Sequence, residues 1–177
     1  MCPILFILGP SGVGKSFASK GLEEEHAFLY LDIDQHRGFE VNGFPPEWDK
    51  DLSRVDFAQL ATAVRSSVAV KERAGAVLSF PTIHVFTSEQ LEAAFRVGIS
   101  TVVLWGTEEW CIEARRVRSK RNRRKFDLRR YQEKNRHSFE TYARPEYANV
   151  RVEAFRPDGS RWPLEHFLDL IMARAAG

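Results

Sequence analysis

Gly9-Pro10-Ser11-Gly12-Val13-Gly14-Lys15-Ser16 is a glycine-rich loop, and it follows a continuous apolar run at residues 3–8. Such a run is typical of a strand buried on both faces, as in a parallel sheet. A helix is predicted to begin near Lys15 and to end at about Glu25. Three glycines permit a tight turn whose amides point inward, and the helix N-terminus adds further donors. The order strand, loop, helix therefore predicts an anion site at this turn.

The spacing of the loop is that of a triphosphate-binding loop. Lys15 is expected to place an ammonium near the β- and γ-phosphates, and Ser16 to offer a hydroxyl to Mg²⁺. ATP and Mg²⁺ are thus the expected cofactors. The residues predicted to hold the nucleotide are those of the loop and the helix start: Gly9, Ser11, Gly12, Val13, Gly14, Lys15, Ser16 and Phe17.

Two absent motifs narrow the class of nucleotide-binding protein. The sequence has no Asn-Lys-x-Asp element for reading guanine. The predicted third strand, residues 75–80, lacks a terminal acidic residue. Both observations count against GTPases and mechanochemical ATPases, and they leave small kinases.

The remaining periodicity predicts alternating strands and helices. Strands are expected at residues 28–31, 75–80, 101–105 and 150–155, and helices at residues 57–72, 88–96 and 164–174. Ser88 is predicted to cap one helix, and Thr107 to cap another that runs into a basic segment. A chain of 177 residues with this order predicts a single α/β domain, residues 1–177. The expected fold is the three-layer α/β/α P-loop NTPase fold with a mostly parallel five-stranded sheet.

Two carboxylates, Asp32 and Asp34, come at the predicted carboxyl end of the second strand. In a parallel sheet this end faces the same side as the phosphate loop, and residues two apart share a strand face. Asp32 is predicted to assist Mg²⁺. Asp34 is predicted to bind the acceptor hydroxyl and to take its proton during transfer. The alternative is a solvated turn with ordinary acids.

Positive charge is concentrated in residues 115–136, which hold twelve Lys or Arg and two acids. The segment carries +10, so the rest of the chain carries −8 for the formal total of +2. This asymmetry predicts a local anionic partner. The partner is expected within the nucleotide site, although a nucleic acid is the open alternative. Arg37, Arg54 and Arg144 are further candidates for binding a carboxylate or phosphate of the substrate, with surface ion pairs as the alternative.

Three stretches carry a resemblance to a known family: Asp32-Ile33-Asp34, residues 43–51 (GFPPEWDKD) and residues 144–147 (RPEY). With the phosphate loop, they resemble the shikimate kinase and gluconate kinase branch of small P-loop kinases. Leu78-Ser79-Phe80-Pro81 stands where shikimate kinases have three glycines, so the acceptor stays open. The resemblance implies that residues 115–136 form a basic lid over the triphosphate. It also implies that adenine lies between Arg115 or Arg116 and Pro157.

A lid arginine is expected to neutralise charge on the transferring group, and we predict Arg116 and the stretch 121–124, with Arg124 as the second catalytic cation. The predicted function is an ATP- and Mg²⁺-dependent kinase that phosphorylates a hydroxyl of a small polar metabolite. A nucleoside, nucleotide or RNA-end kinase and a non-enzymatic nucleotide-binding switch are the alternatives.

The sequence also bears on the compartment in which the chain works. Residues 1–8 are interpreted as a buried strand and not as a signal peptide. Cys2 and Cys111 do not suggest a disulfide framework. A cytoplasmic monomer or homodimer without a membrane segment is expected.

Overall fold

The computed structural model describes residues 2–33, 55–70 and 72–176. Five strands alternate with helices along these ranges. The strands are β1 (Ile4–Leu8), β2 (Phe28–Asp32), β3 (Gly75–Ser79), β4 (Ile99–Trp105) and β5 (Arg151–Glu153). The helices are α1 (Lys15–Glu25), α2 (Phe57–Val70), α3 (Ser88–Arg96), α4 (Glu108–Arg121), α5 (Leu128–Tyr142) and α6 (Leu164–Ala176), with a 3₁₀ helix at Pro145–Val150.

The five strands form one parallel sheet in the order β2-β3-β1-β4-β5. β1 lies at the centre, and every one of its residues is buried because β3 and β4 flank it and helices cover both faces. The register places Leu8 opposite Val103 and Asp32 opposite Ser79. The predicted fold is therefore confirmed, and the phosphate loop leaves the carboxyl end of the central strand, where open α/β sheets bind ligands.

Two apolar clusters cover the two faces of the sheet. On one face Phe6 lies 4.8 Å from Phe80 between ring centroids, and Phe80 meets Phe86 edge-on at 5.1 Å. On the other face Val13 of the loop packs with Leu22 of α1 and Phe167 of α6, and all three are fully buried. The loop is thus anchored in the core through Val13.

Two sequence predictions about helices are wrong. Ser88 does not cap α3, because the cap is Thr87, whose hydroxyl accepts from the Gln90 amide while the Gln90 side chain accepts from the Thr87 amide. Ser88 is the first helical residue. The single helix predicted between β4 and β5 is two α-helices and a 3₁₀ helix, because the chain turns at Arg123, with φ of 52°, and Asp127 caps the new helix α5.

Most other predicted elements agree closely with the structure, although β5 spans Arg151–Glu153 and not residues 150–155. α1 begins and ends where predicted, and Thr107 caps α4 by accepting from the Trp110 amide at 3.3 Å. β4 begins two residues earlier than predicted, at Ile99. Within the ranges that the structure describes, no helix has both the length and the apolar character needed to cross a bilayer.

Candidate active site

The phosphate loop fits tightly against the elements beneath it. Gly12 and Gly14 have φ of 95° and 110°, in a region that side chains rarely adopt. A Cβ at Gly12 would collide with the carbonyl oxygen of Cys111 in α4, and a Cβ at Gly14 would collide with the Arg161 guanidinium. The loop conformation therefore requires glycine at both positions for backbone geometry, and at Gly12 also for space, because the atom in the way there is backbone.

The ammonium of Lys15 lies over the loop. Its Nζ donates to the carbonyl oxygen of Gly9 at 2.7 Å and to that of Pro10 at 3.0 Å. The side chain is thus folded back across the concave side of the turn, beside the cleft that it lines. An anion entering the cleft meets this charge together with the amides at the start of α1.

Arg161 holds the loop from the other side, and sequence reasoning missed it. Its Nη1 donates to the carbonyl oxygen of Val13 at 2.8 Å, and its Nη2 donates to that of Gly12. The guanidinium also lies over the ring of Phe155, 4.7 Å from the centroid. Burial lowers the pKa of Arg161, which nevertheless remains a cation at neutral pH. Positive charge is therefore fixed next to the phosphate loop.

A short hairpin after β5 places Arg161. Phe155 and Arg161 form an antiparallel bridge, and the Arg156 amide donates to the Ser160 carbonyl at 2.7 Å. Gly159 turns the chain with φ of 82° against the indole of Trp110. Asp-Gly is a dipeptide typical of turns. No sequence signal indicated that the residue after the turn reaches the loop, because that contact joins positions 148 residues apart.

Side-chain oxygen atoms that could bind a metal lie at the opposite end of the loop. Ser16 and Asp32 both line the cleft, and Ser79 lies beside them. The Tyr30 hydroxyl donates to Asp32 Oδ2 at 3.0 Å. Burial, with the Asp32 charge and despite a contact with Ser16, raises the pKa of Tyr30 to about 12, so the phenol stays a donor. The bond from Tyr30 thereby restrains the Asp32 carboxylate in the cleft that it lines.

These donors fit Mg²⁺ held jointly with phosphate. Magnesium prefers hard oxygen ligands and is commonly bound by one or two protein groups, water and substrate phosphates. Ser16 and Asp32 are the residues that would hold it. Among the described residues no three His, Cys, Asp or Glu side chains cluster as a metal site, so an all-protein cage is not formed there.

The loop opens into a cleft of about 1220 Å³, large enough for a nucleotide and a small second substrate. One wall is the phosphate loop with Phe17, Lys20 and Asp32. The facing wall is α4, and the far end is the hairpin that carries Arg161. The α4 and hairpin residues that line it are Trp110, Glu113, Ala114, Arg115, Val117, Arg118, Arg121, Asn122, Phe155, Asp158, Gly159 and Arg161.

The predicted lid arginines lie in different environments. Arg115 lines the cleft, its Nε is buried without a hydrogen-bond partner among the described residues, and burial lowers its pKa together with repulsion from Arg118. A bound anion would relieve both costs. Arg116 instead pairs with Glu113 at 3.8 Å and lies 5.8 Å from the ring centroid of Phe126.

Among the described residues, the predicted site residues Arg124, Arg144 and Pro157 do not line the cleft. Arg124 is exposed, and Pro157 follows the hairpin strand outside the cleft wall. Arg144 is paired with Glu146 at 3.9 Å near the start of the 3₁₀ helix. Asp34, Arg37 and Arg54 lie outside the described residues, as does the stretch 43–51. The roles predicted for all of these residues stay predictions.

Comparison with solved structures gives matches over nearly the whole chain. A gluconokinase from Sinorhizobium meliloti 1021 matches with a TM-score of 0.56 and 18% identity, over 98% of this chain and 91% of that one. A shikimate kinase from Aquifex aeolicus matches with a TM-score of 0.52 and 18% identity, over 98% and 96%. A sugar kinase from a Janibacter species matches with a TM-score of 0.53 and 14% identity, over 98% and 94%.

The chain has the fold of these small P-loop kinases. The resemblance predicted from the sequence is therefore confirmed at the level of the fold. No protein-family model matches the sequence, and no curated protein matches it either. The chemistry of the site must accordingly be argued from its own residues.

Proposed function

We propose that this chain is an ATP- and Mg²⁺-dependent kinase that transfers the γ-phosphoryl group to a hydroxyl of a small polar metabolite. One observation carries the proposal. Lys15 and Ser16 of the loop face the same cleft as Asp32 and the α4 arginines Arg115, Arg118 and Arg121. Phosphoryl transfer needs this combination of fixed cations, a metal-binding oxygen and an enclosed cleft more than it needs covalent chemistry.

The nucleotide side of the site is built to hold charge in place. Backbone amides and the α1 N-terminus bind phosphate oxygens, and Lys15 neutralises the β- and γ-phosphates. Ser16 and Asp32 are the residues that would hold Mg²⁺, which when bound would supply Lewis-acid stabilisation of charge on the phosphate oxygens. Arg161 stabilises the loop backbone, because both of its hydrogen bonds to the loop go to carbonyl oxygens.

In the transfer step the acceptor hydroxyl oxygen forms a bond to the γ-phosphorus. The bond from phosphorus to the β,γ-bridging oxygen breaks, and ADP leaves with that electron pair. The hydroxyl proton passes to a carboxylate, for which Asp34 is the candidate from the sequence. Arg115, with its partly desolvated guanidinium in the cleft, is the described α4 cation best placed to stabilise the equatorial oxygens.

An acceptor screen tests the proposal. ADP production is measured by a coupled assay with sugars, sugar acids, hydroxy acids and nucleosides as separate classes. We expect one class of small polar hydroxyl compound to raise ADP release well above the rate without acceptor. Lys15→Ala should abolish that increase, while Lys134→Ala, an exposed lysine on α5, should retain it. ATP binding with no acceptor-dependent ADP release would instead indicate a nucleotide-binding switch.

Transfer to an RNA end is the second candidate, because most cations of the basic segment are exposed and do not line the cleft. Of its twelve cations, Arg115, Arg118 and Arg121 line the cleft wall. The other nine are all exposed: Arg116, Lys120, Arg123, Arg124, Lys125, Arg129, Arg130, Lys134 and Arg136. A polyanion could contact these additional charges. Transfer of labelled γ-phosphate to a 5′-hydroxyl oligonucleotide, in preference to all small acceptors, would favour this candidate.

A further inference from the structure

Ser11 of the phosphate loop is held at both of its backbone groups by helix α5. Its amide donates to Asn135 Oδ1 at 2.6 Å. Its carbonyl oxygen accepts from the Tyr131 hydroxyl at 2.7 Å. Tyr131 and Asn135 are one helical turn apart, so they present adjacent side chains to the loop. A helix more than a hundred residues later in the chain thus fixes the conformation of a single loop residue.

Both polar atoms of the Asn135 amide are hydrogen-bonded in this arrangement. Its side chain is almost fully buried, with 1% exposed. Oδ1 accepts from the Ser11 amide and also from Thr82 Oγ1 at 2.8 Å, while Nδ2 donates to the Tyr131 carbonyl at 2.8 Å. Only one orientation of the amide satisfies all three partners, because Nδ2 cannot accept. Three segments therefore meet at Asn135: the phosphate loop, the turn after β3 and helix α5.

The contact lies where it influences phosphate binding. Ser11 directly precedes Gly12, and the loop amides that follow are the donors expected to bind phosphate. A loop held at both backbone groups of Ser11 loses less conformational entropy when an anion binds. A partly buried Ser11 amide without a partner would favour other loop conformations.

We infer that Asn135 and Tyr131 are positioning residues that keep the phosphate loop ready for a triphosphate, and that α5 is a fixed support for the loop. The inference rests on the proposed triphosphate site. The basic segment thus has two parts: α4 contributes arginines to the cleft, and α5 contributes neutral side chains to the loop. Residues 122–127 connect these parts.

The test compares variants on one helix. Asn135→Leu removes both bonds to Oδ1 with little change in volume, and Asn135→Asp keeps an acceptor for the Ser11 amide. Gln132→Leu, at an exposed position on α5, is the matched control. For each variant, hydrogen exchange of the Ser11 amide is followed by NMR without nucleotide. The affinity for MgATP is measured by displacement of a fluorescent ATP analogue, and thermal midpoints are recorded.

We expect Asn135→Leu to speed exchange at Ser11 and to weaken MgATP binding, each by about tenfold, the size expected for a partly buried donor left unpaired. Asn135→Asp should keep exchange of the Ser11 amide slow, because it retains an acceptor. An effect that depended only on side-chain volume would not show this difference between the two variants. Gln132→Leu should match the wild type in both measurements. If Asn135→Leu does not fold, Tyr131→Phe and Thr82→Val replace it in the test, since each removes a single hydroxyl. Tyr131→Phe should give a smaller effect in the same direction.

Two results would overturn the inference. One is exchange at Ser11 in Asn135→Leu and Tyr131→Phe as slow as in Gln132→Leu. The other is fast exchange with unchanged MgATP affinity, because the contact would then be structural only. If the wild-type protein binds no MgATP, the proposed function fails and with it the positioning role, whereas unchanged loop exchange beside intact MgATP binding overturns the inference alone.

Discussion

The Arg161 guanidinium and the Val13 carbonyl oxygen are hydrogen-bonded, with 2.8 Å between Nη1 and O. Val13 belongs to the phosphate loop near the N-terminus, and Arg161 belongs to a hairpin near the other end of the chain. The same guanidinium binds the Gly12 carbonyl. Two consecutive loop carbonyls thus point towards Arg161, which favours an orientation of the loop amides away from it.

Replacement of Arg161 should weaken nucleotide binding. Arg161→Met removes two charge-assisted bonds to the loop, and we expect MgATP affinity to fall by about tenfold or more. Arg161→Lys should recover only part of the affinity, because an ammonium lacks the planar fork that reaches two carbonyls. Titration with a fluorescent ATP analogue measures both effects. Arg174→Met is the control, since Arg174 also donates to a carbonyl, that of Asn149 at 3.0 Å, but away from the cleft. Equal affinities in Arg161→Met and Arg174→Met would contradict the prediction.

Removal of the Asp32 charge should act through Mg²⁺. Asp32→Asn keeps an oxygen that can accept from Tyr30 and removes the carboxylate from the cleft. We expect weaker binding of MgATP and little change in binding of ATP in excess EDTA, measured by calorimetry. Glu113→Gln, another acidic residue of the cleft, is the control. An identical loss with and without Mg²⁺ would argue against Asp32 as a metal-binding residue.

The two neighbouring arginines at the middle of α4 should differ in importance. Arg115→Gln removes a partly buried cation from the cleft, and Arg116→Gln removes one that is paired with Glu113. With an acceptor identified, kcat should fall by about a hundredfold or more for Arg115→Gln if it stabilises the transition state. Arg116→Gln should then have a small effect. The reverse order would support the sequence-based assignment of Arg116 as catalytic.

The capping residue of α3 gives a prediction about stability alone. Thr87→Ala breaks the reciprocal bonds with Gln90 and should lower the free energy of unfolding by about 1 kcal/mol. Ser88→Ala, one position later, should change it little because Ser88 is inside the helix. Urea denaturation measures both, and MgATP affinity should stay unchanged in each. A larger loss for Ser88→Ala would mean that the cap lies one residue later in solution.

Alkaline pH should destabilise the fold. Burial raises the pKa of Tyr30 from 10.0 to about 12 and that of Cys111 from 9.0 to about 12. The unfolded chain therefore loses these protons first, so the stability they contribute is full below pH 9 and is lost as pH rises towards 12. Urea midpoints at a series of pH values should fall across this window. The fall should be smaller in Tyr30→Phe, and an equal fall would exclude Tyr30 as a contributor.

Much of the fold could be predicted because its signals are local. The apolar run before Gly9 and the helix after Lys15 are contiguous patterns, and both appear in the structure nearly as expected. Helix α5 was missed because its charges outnumber its apolar residues, and its buried face consists of polar or aromatic side chains such as Tyr131, Asn135 and Ser138. Ser88 and Thr87 are both good caps, and only the position of Gln90 three residues after Thr87 separates them.

The site could be predicted only where one segment carries it. Lys15 and Ser16 belong to a motif whose spacing has a physical meaning, and Asp32 follows a strand end. Arg161 and Asn135 contact the loop across 148 and 124 residues of sequence, through single side chains with no spacing rule. Contacts of this kind depend on the packing of α4, α5 and the hairpin, which pattern reasoning on one sequence does not determine.

The exposed cations beyond the cleft have a consequence for kinetics. Because residues 115–136 carry +10 and the rest of the chain carries −8, the molecule has a permanent electrical asymmetry despite a total of +2. An approaching polyphosphate is drawn towards the cleft side before any contact forms. Ionic strength should therefore slow the encounter with ATP more than it speeds departure, and the approach of the nucleotide would be guided by residues that never touch it.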